Sequence, residues 1–214
     1  MKRILIADDH ELFRAGVKQL LSEMPHPFIV DEANNGQEVI EKIWSNDYDT
    51  VLLDISMPGR NGLDVLKDIK SYKPDLQVLI LSMYPEEQFA MRALKAKASG
   101  YLTKAVKSDE LVTAIQNVIK GKRYISSSLA DRIACYVEED NNKALHETLS
   151  DREYEVMCMT ATGKSVKQIA MKLALSDKTI STYRARILNK MNMNNIAQLI
   201  HYAIQNDLIN QPEA

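Results

Sequence analysis

Several kinds of residue are scarce in this chain, and each scarcity excludes a class of protein. The two cysteines, Cys135 and Cys158, exclude a disulfide-stabilised secreted domain and indicate ordinary core thiols in a reducing cytoplasm. No apolar run approaches the roughly 18 residues of a membrane span, and the short apolar N-terminus does not resemble a signal peptide. The formal net charge of −2 excludes a uniformly basic nucleic-acid binder. A cytoplasmic protein without a membrane partner is therefore expected.

Short apolar runs alternate with segments of helical periodicity as far as Gly121. The runs are rich in Val, Ile and Leu, as in buried parallel strands: Ile4–Ala7, Phe28–Val30, Val51–Leu53, Val78–Leu81 and Tyr101–Leu102. The helical segments are residues 12–21, a helix opened by a capping box of Asn35 and Glu38, Gly62–Ser71, Glu86–Ala96 and Ser108–Ile119. This alternation predicts a doubly wound α/β domain over residues 1–122.

The pattern changes in the second half of the chain. Residues 123–147 are predicted to form a linker, with one amphipathic helix at Ser127–Val137 and a polar stretch at Glu138–Glu147. Residues 148–214 hold 8 basic and 6 acidic residues and show helical patterns only. The expected helices are Asp151–Thr160, Val166–Leu173, Asp177–Met191 and Ile196–Asn206. The capping box of Ser150 and Glu153 and the tight turn Ala174–Ser176 are typical of a helix-turn-helix domain.

Acidic residues follow two of the predicted strands. Asp8 and Asp9 come after the first strand and Asp54 after the third, and these strands are neighbours in a doubly wound sheet. Three crowded carboxylates call for a hard divalent cation, so a Mg²⁺ (or Mn²⁺) site is predicted. Ser82 after the fourth strand and Lys104 after the fifth add a hydroxyl and a positive charge at the same edge. This set suits transfer of a phosphoryl group to a carboxylate.

The same residues carry a family resemblance. The segments DDH (8–10), LLDISMPGRNG (52–62), LS (81–82) and GYLTK (100–104) resemble the flavodoxin-like (βα)5 receiver domains of response regulators. The resemblance implies that Asp54 accepts a phosphoryl group from a sensor histidine kinase. It also implies that Asp8, Asp9, Asp54 and the backbone carbonyl of Ser56 hold the metal. Ser82 and Tyr101 would form a switch pair, in which the hydroxyl moves to the phosphoryl group and the ring turns inward.

Two positions bear on how the receiver would behave. Many receivers have proline after the lysine, whereas this chain has Ala105, so the geometry of the Lys104–Ala105 bond stays open. Ser56 and Tyr84 stand two residues beyond Asp54 and Ser82, where the family tunes dephosphorylation. Neither side chain is acidic or carries an amide, so we predict a slowly decaying phosphoaspartate shielded by Tyr84.

A second resemblance covers residues 149–208. LSDREYEV and TGKSVKQIAMKLALSDKTISTYRARILNKM resemble the LuxR-type output domain of the NarL/FixJ family. The resemblance implies a four-helix domain whose third helix reads DNA, with Ser181, Thr182 and Ala185 toward the bases. Contacts to the DNA backbone would come from Lys178, Thr179, Tyr183, Arg186 and Lys190. The last helix forms either a dimer contact or simple core packing, and the sequence does not choose between them.

The sequence thus predicts a response regulator that controls transcription rather than an enzyme. Its expected partners are a sensor histidine kinase, promoter DNA, RNA polymerase and a second copy in the active state. Phosphorylation would either unmask the recognition helix or promote dimers, and both remain open. Three alternative functions are an aspartyl-phosphate phosphatase, an unphosphorylated receiver used for dimerisation, and an output domain that binds protein. A phosphatase would need an acid/base carboxylate where Ser56 stands.

Overall fold

In the computed structural model the described residues are 1–138 and 144–209, without the side chains of residues 132 and 134–138. Contacts divide the chain into two compact units, Met1–Ala130 and Asp131–Ala214. In the described part of the chain, no helix is both long and apolar enough to cross a membrane.

The first unit is built on a parallel sheet of five strands in the order β2-β1-β3-β4-β5. The strands are β1 (Lys2–Ala7), β2 (Phe28–Ala33), β3 (Thr50–Leu53), β4 (Gln77–Ser82) and β5 (Gly100–Thr103). The helices between and after them are α1 (Glu11–Ser22), α2 (Gly36–Ser45), α3 (Gly62–Tyr72), α4 (Glu86–Lys95) and α5 (Ser108–Ile119). The predicted doubly wound α/β fold is confirmed.

Both faces of this sheet are buried, which explains the continuous apolar runs of its strands. One set of residues packs with the apolar faces of α1 and α5: Ile4, Ile6, Leu52, Leu79, Leu81 and Leu102. The alternating set, which points to the opposite face, is equally buried: Leu5, Val51, Leu53, Val78 and Ile80. Side chains alternate between the two faces of a strand, so a strand covered on both faces must be apolar throughout.

The cap of α2 differs in one detail from the predicted capping box. The Asn35 side chain accepts a hydrogen bond from the Glu38 backbone N–H, as predicted. The Glu38 carboxylate, however, accepts from the backbone N–H of Asn34 rather than from that of Asn35. Asn35 donates its side-chain amide to the same carboxylate instead. The helix start is therefore stabilised by both side chains, but without the reciprocal pair of backbone bonds.

The second unit contains the predicted helices, each within one residue of its expected end. They are α7 (Asp151–Ala161), α8 (Val166–Leu173), α9 (Asp177–Lys190) and α10 (Ile196–Gln205), preceded by α6 (Ser127–Glu138) and a 3₁₀ helix (Leu145–Thr148). Helix α7 contacts the other three helices and is buried along its whole length. Half of the predicted polar stretch Glu138–Glu147 lies outside the described residues, and its end belongs to the 3₁₀ helix.

The turn between α8 and α9 has the geometry of a helix-turn-helix. Ala174 ends α8 in the left-handed conformation with φ of 52°, which reverses the chain sharply. The Ser176 side chain accepts from the Thr179 backbone N–H and so caps α9. Ile180 and Ile187 of α9 and Met191 just after it are buried, whereas Leu188 is half-buried.

Candidate functional site

The first candidate site lies where the C-terminal ends of the strands meet. Asp54 follows β3, and its backbone N–H donates to the Ala7 carbonyl of β1 at 2.9 Å. Lys104 follows β5, and its N–H donates to the Ser82 carbonyl of β4 at 2.7 Å. These bonds continue the ladders of neighbouring strands beyond their ends. Parallel pairing therefore gathers Asp8, Asp54, Ser82 and Lys104 at one edge of the sheet.

Lys104 joins the two buried aspartates of this edge. Its Nζ lies 2.8 Å from Asp54 Oδ2 and 2.6 Å from Asp8 Oδ2, and all three side chains are almost fully buried. The Phe13 ring centroid lies 4.8 Å from the same Nζ. Burial raises the pKa of the Asp54 carboxyl above its usual value, although the positive charge of Lys104 opposes this. The site therefore holds a reactive carboxylate that depends on one ammonium group for its charge balance.

The two buried aspartates belong to a cluster of possible metal ligands. Asp8, Asp9, His10 and Asp54 each place one ligand atom so that these atoms all lie within 4.8 Å of one another. Such an acidic cluster is typical of a receiver Mg²⁺ site, since hard divalent cations prefer carboxylate oxygens. Ser56 donates its backbone N–H to Asp54 Oδ1 at 3.3 Å. The predicted role of its carbonyl as a ligand stays a prediction.

The backbone of Tyr84 forms hydrogen bonds with both predicted switch residues, Ser82 and Tyr101. Tyr101 is fully buried, and its hydroxyl donates to the Tyr84 carbonyl at 2.7 Å. Tyr84 in turn donates its N–H to Ser82 Oγ at 3.1 Å. Burial raises the pKa of the Tyr101 phenol, and a hydrogen bond with Ser82 opposes that shift. The ring thus already points inward here, in contact with the residue that would meet the phosphoryl group.

The loops that follow β5 and β4 contain the Lys104–Ala105 bond and Tyr84. Lys104–Ala105, whose geometry the sequence left open, is a trans bond, and none of the peptide bonds in the described ranges is cis. The Tyr84 ring packs against Phe89 with 4.6 Å between ring centroids. The predicted shielding of a phosphoaspartate by Tyr84 stays a prediction.

Sequence reasoning missed Arg14, which supports the acidic edge from helix α1. Its Nη1 donates to the Asp8 carbonyl at 2.8 Å, and its Nε lies 2.8 Å from Glu32 Oε2 at the end of β2. Lys18 pairs with the other oxygen of Glu32 at 2.6 Å. Hydrogen bonds from Lys18 and Arg14 lower the pKa of the Glu32 carboxyl. The sequence feature that could have indicated this role is the position of Arg14, a basic residue between the inward-facing Phe13 and Val17 of an amphipathic helix.

The second candidate site is the start of helix α9. The residues predicted to contact DNA divide by exposure: Lys178, Ser181, Thr182, Ala185, Arg186 and Lys190 are exposed, and Thr179 and Tyr183 are half-buried. A pocket at the helix N-terminus is lined by Ser176, Lys178, Thr179, Thr182, Tyr183 and Arg186. It combines hydroxyls and positive charges with the positive end of a helix dipole, a combination suited to phosphate groups.

Lys190 has a structural partner that the sequence did not suggest. Its Nζ lies 2.7 Å from Glu153 Oε2, and Glu153 is buried at the start of α7. The same oxygen accepts the Ser150 backbone N–H at 2.8 Å, so the predicted capping box of α7 is present. Lys190 therefore ties the end of α9 to the start of α7, in addition to any contact with DNA.

This contact predicts a pH dependence of stability. Burial alone raises the pKa of the Glu153 carboxyl, but hydrogen bonds from Lys190 and Ser150 outweigh burial and the net pKa is lowered. Because the pKa of this carboxyl is lower in the folded than in the unfolded state, its ionised form stabilises the folded state at pH values above the unfolded pKa of 4.5. This stabilisation is lost as the pH falls through the pKa of the folded state. We expect Glu153→Gln to lower the free energy of unfolding at pH 7 and to weaken its decline on acidification. The free energy of unfolding is measured with urea at several pH values from 7 to 3. If this pair contributes nothing, the plots of that free energy against pH will be parallel for wild type and Glu153→Gln.

Comparisons with known proteins match both halves of the chain to known families. Residues 4–116 match the response regulator receiver domain, and residues 147–203 match the bacterial regulatory proteins of the luxR family. The response regulator UvrY of Escherichia coli strain K12 is 35% identical over 98% of this chain and 97% of its own length. The response regulator GacA of Pseudomonas aeruginosa is 32% identical, with 98% of both chains covered.

The chain belongs to the response regulator family. It is a two-component regulator of transcription with a LuxR-type helix-turn-helix output domain, and this family acts by regulation rather than by enzymatic turnover of a substrate. Among solved structures, RcsB of Salmonella enterica bound to promoter rprA with the phosphomimetic BeF₃⁻ is similar. Its TM-score is 0.63 at 27% identity, covering 94% of this chain and 98% of RcsB. The response regulator ChrA is similar at 30% identity, with a TM-score of 0.51 and with 97% and 98% of the two chains covered.

Proposed function

We propose that Asp54 of this response regulator accepts a phosphoryl group from a sensor histidine kinase and so controls promoter binding by α9. The observation that carries the proposal is the buried Asp54 carboxylate, paired with Lys104 beside a cluster of metal ligands. Membership of the receiver family supports a kinase partner. We assign the receiver to residues 1–122, the linker to 123–147 and the output domain to 148–214.

The residues of the pocket divide the chemistry between them. An Asp54 oxygen forms the new O–P bond as the P–N bond of the donor phosphohistidine breaks, and the departing imidazole takes a proton from water. Lys104 holds Asp54 in place and stabilises the charge on the transferred group. Asp8, Asp9, Asp54 and the Ser56 carbonyl would hold Mg²⁺ or Mn²⁺. When bound, this ion neutralises negative charge on the phosphoryl oxygens.

The switch would pass through Ser82, Tyr84 and Tyr101. Ser82 Oγ accepts the Tyr84 N–H, and the Tyr84 carbonyl accepts the Tyr101 hydroxyl. A phosphoryl group on Asp54 would draw the Ser82 hydroxyl toward itself and so rearrange this chain of hydrogen bonds. A local charge change would then bias a two-state element on the α4, β5 and α5 side.

DNA would meet the exposed start of α9. Lys178 and Arg186 are exposed beside the pocket at the helix N-terminus, where they can neutralise DNA phosphates. Ser181, Thr182 and Ala185 would face the bases. RcsB has been solved bound to promoters and as dimers on DNA, which supports DNA binding and an active dimer for this chain as well.

One experiment tests the proposal as a whole. Wild type and Asp54→Ala are compared for DNA affinity and for mass in solution, with and without a small-molecule phosphodonor and Mg²⁺. We expect the phosphodonor to change the wild-type values and to leave Asp54→Ala unchanged. An equal response of both proteins would refute the switch. Arg186→Ala serves as the output variant, and its affinity should fall with a shallower dependence on salt.

Arg14 gives a second test, because it touches the backbone of a proposed ligand and not the metal itself. Arg14→Ala should weaken Mg²⁺ binding by about 10-fold, since partners that orient metal ligands typically contribute this much. Lys18→Ala is the matched control, because Lys18 also pairs with Glu32, whereas Arg14 is the one of the two that hydrogen-bonds to Asp8 in the described part of the chain. Calorimetric Mg²⁺ titration of both variants measures the effect. Equal Mg²⁺ affinities would mean that Arg14 only stabilises the fold.

A further inference from the structure

The His10 side chain lies at the acidic edge of the sheet, beside Asp8 and Asp9. His10 is the residue before α1, but its side chain makes no capping hydrogen bond to the helix. Its Nδ1 lies 2.9 Å from Asp9 Oδ1 and 3.1 Å from Asp8 Oδ1. The side chain is 61% exposed, so binding an ion would cost it little desolvation. The imidazole is thus placed among the carboxylates and is open to solvent.

The distances from His10 Nδ1 to the two carboxylate oxygens are those of hydrogen bonds, and they are also those of adjacent metal ligands. Two neighbouring ligands of an octahedral ion, each about 2.1 Å from the metal, lie roughly 3.0 Å apart. The separations of His10 Nδ1 from the two carboxylate oxygens fall on either side of this value. Two backbone contacts hold the arrangement: His10 donates its N–H to Asp8 Oδ1 at 2.9 Å, and Arg14 donates its backbone N–H to the His10 carbonyl at 3.2 Å.

Lys104 contacts one oxygen of each buried aspartate, Oδ2 of Asp8 and Oδ2 of Asp54. The Oδ1 atom of Asp8 is the one that lies near His10 Nδ1. A cation beside this Oδ1 atom would meet carboxylate oxygen together with one imidazole nitrogen.

We propose that His10 Nδ1 is a protein ligand of the receiver cation, so that the site prefers a transition ion such as Co²⁺ or Mn²⁺ over Mg²⁺. Neutral imidazole coordinates first-row transition ions more readily than it coordinates Mg²⁺, which favours oxygen ligands and keeps several waters. The carboxylates serve both kinds of ion, and His10 adds affinity only for the transition ion. This inference rests on the cation site of the proposed function and adds the identity of the ion that fits it best.

The test compares two metals in four proteins at one fixed pH. Co²⁺ and Mg²⁺ are titrated separately into wild type, His10→Ala, His26→Ala and Asp54→Asn. His26→Ala is the control for adventitious binding, because His26 is an exposed histidine outside the ligand cluster. We expect His10→Ala to weaken Co²⁺ binding by at least about 10-fold while Mg²⁺ binding stays within about 2-fold. His26→Ala should bind both ions as wild type does.

A spectroscopic readout separates ligation from indirect effects. Pulsed electron paramagnetic resonance of the Mn²⁺-loaded wild type should show coupling to a ¹⁴N nucleus, and this coupling should be absent in His10→Ala. Unchanged Co²⁺ affinity in His10→Ala, equal losses for both metals, or a persisting nitrogen coupling would each overturn the inference. So would full Co²⁺ affinity in Asp54→Asn, because the ion would then bind elsewhere. Failure of Asp54→Asn to weaken Mg²⁺ binding would instead count against the proposed function.

Discussion

Replacing Gly62 with alanine is expected to destabilise the receiver by about 3 kcal/mol or more and to abolish phosphorylation of Asp54. Gly62 is the first residue of α3, and its N–H donates to the Ile55 carbonyl at 2.8 Å. A Cβ built on Gly62 would lie 2.0 Å from the Asp54 carbonyl oxygen and 2.8 Å from Ile55 Cα. Both neighbours are backbone atoms, so the start of α3 or the loop after β3 must move.

Gly16 offers a matched control for this substitution. It lies in α1 with an exposed position, and a Cβ added there meets no atom within 4 Å. Gly16→Ala is expected to raise stability by about 0.5–1 kcal/mol, because glycine in a helix loses more conformational freedom on folding. Trp44 in α2 is the only tryptophan, so its fluorescence follows receiver unfolding in the full chain. Urea midpoints of Gly62→Ala close to those of wild type would show that the tight approach is not required.

Lys104→Met is expected to destabilise the metal-free protein by about 3–5 kcal/mol at neutral pH, as loss of one partner of a buried ion pair typically does. The variant leaves the buried Asp8 and Asp54 carboxylates without the ammonium group that joins them. Phosphorylation by a small-molecule donor should also slow by about 10²-fold or more, because a charge that stabilises the transferred group is gone. Urea unfolding and the rate of phosphate incorporation measure the two effects.

The pH dependence of this variant has a definite sign. Burial already raises the pKa of the Asp54 carboxyl, and removal of Lys104 raises it further. A carboxyl whose pKa is higher in the folded than in the unfolded state favours folding as the pH falls, because the folded state binds more protons. The stability deficit of Lys104→Met should therefore shrink from pH 7 toward pH 5. Lys73→Met, which removes an exposed pair with Asp47, is the control and should show no such trend. A deficit that is constant or grows on acidification would contradict the assignment.

The sequence alone determined the order of elements and the chemistry at the strand ends. Apolar runs that alternate with helical periodicity can be buried only as a sheet covered on both faces, and this is the fold observed. Parallel strands bring their C-terminal ends to one edge, so Asp8, Asp54 and Lys104 had to lie near one another. Local capping preferences placed the helix starts, including the capping box of Ser150 and Glu153.

Only the tertiary structure decided which side chains in these neighbourhoods contact each other. Arg14 donates to the Asp8 carbonyl, His10 lies between two carboxylates, and Lys190 reaches Glu153 across the helix packing. Long polar side chains have many rotamers, and periodicity states which face they occupy but not which partner they reach. Their partners depend on the packing distance between whole elements, which is set by the buried apolar residues and by close approaches such as that of Gly62 to Asp54.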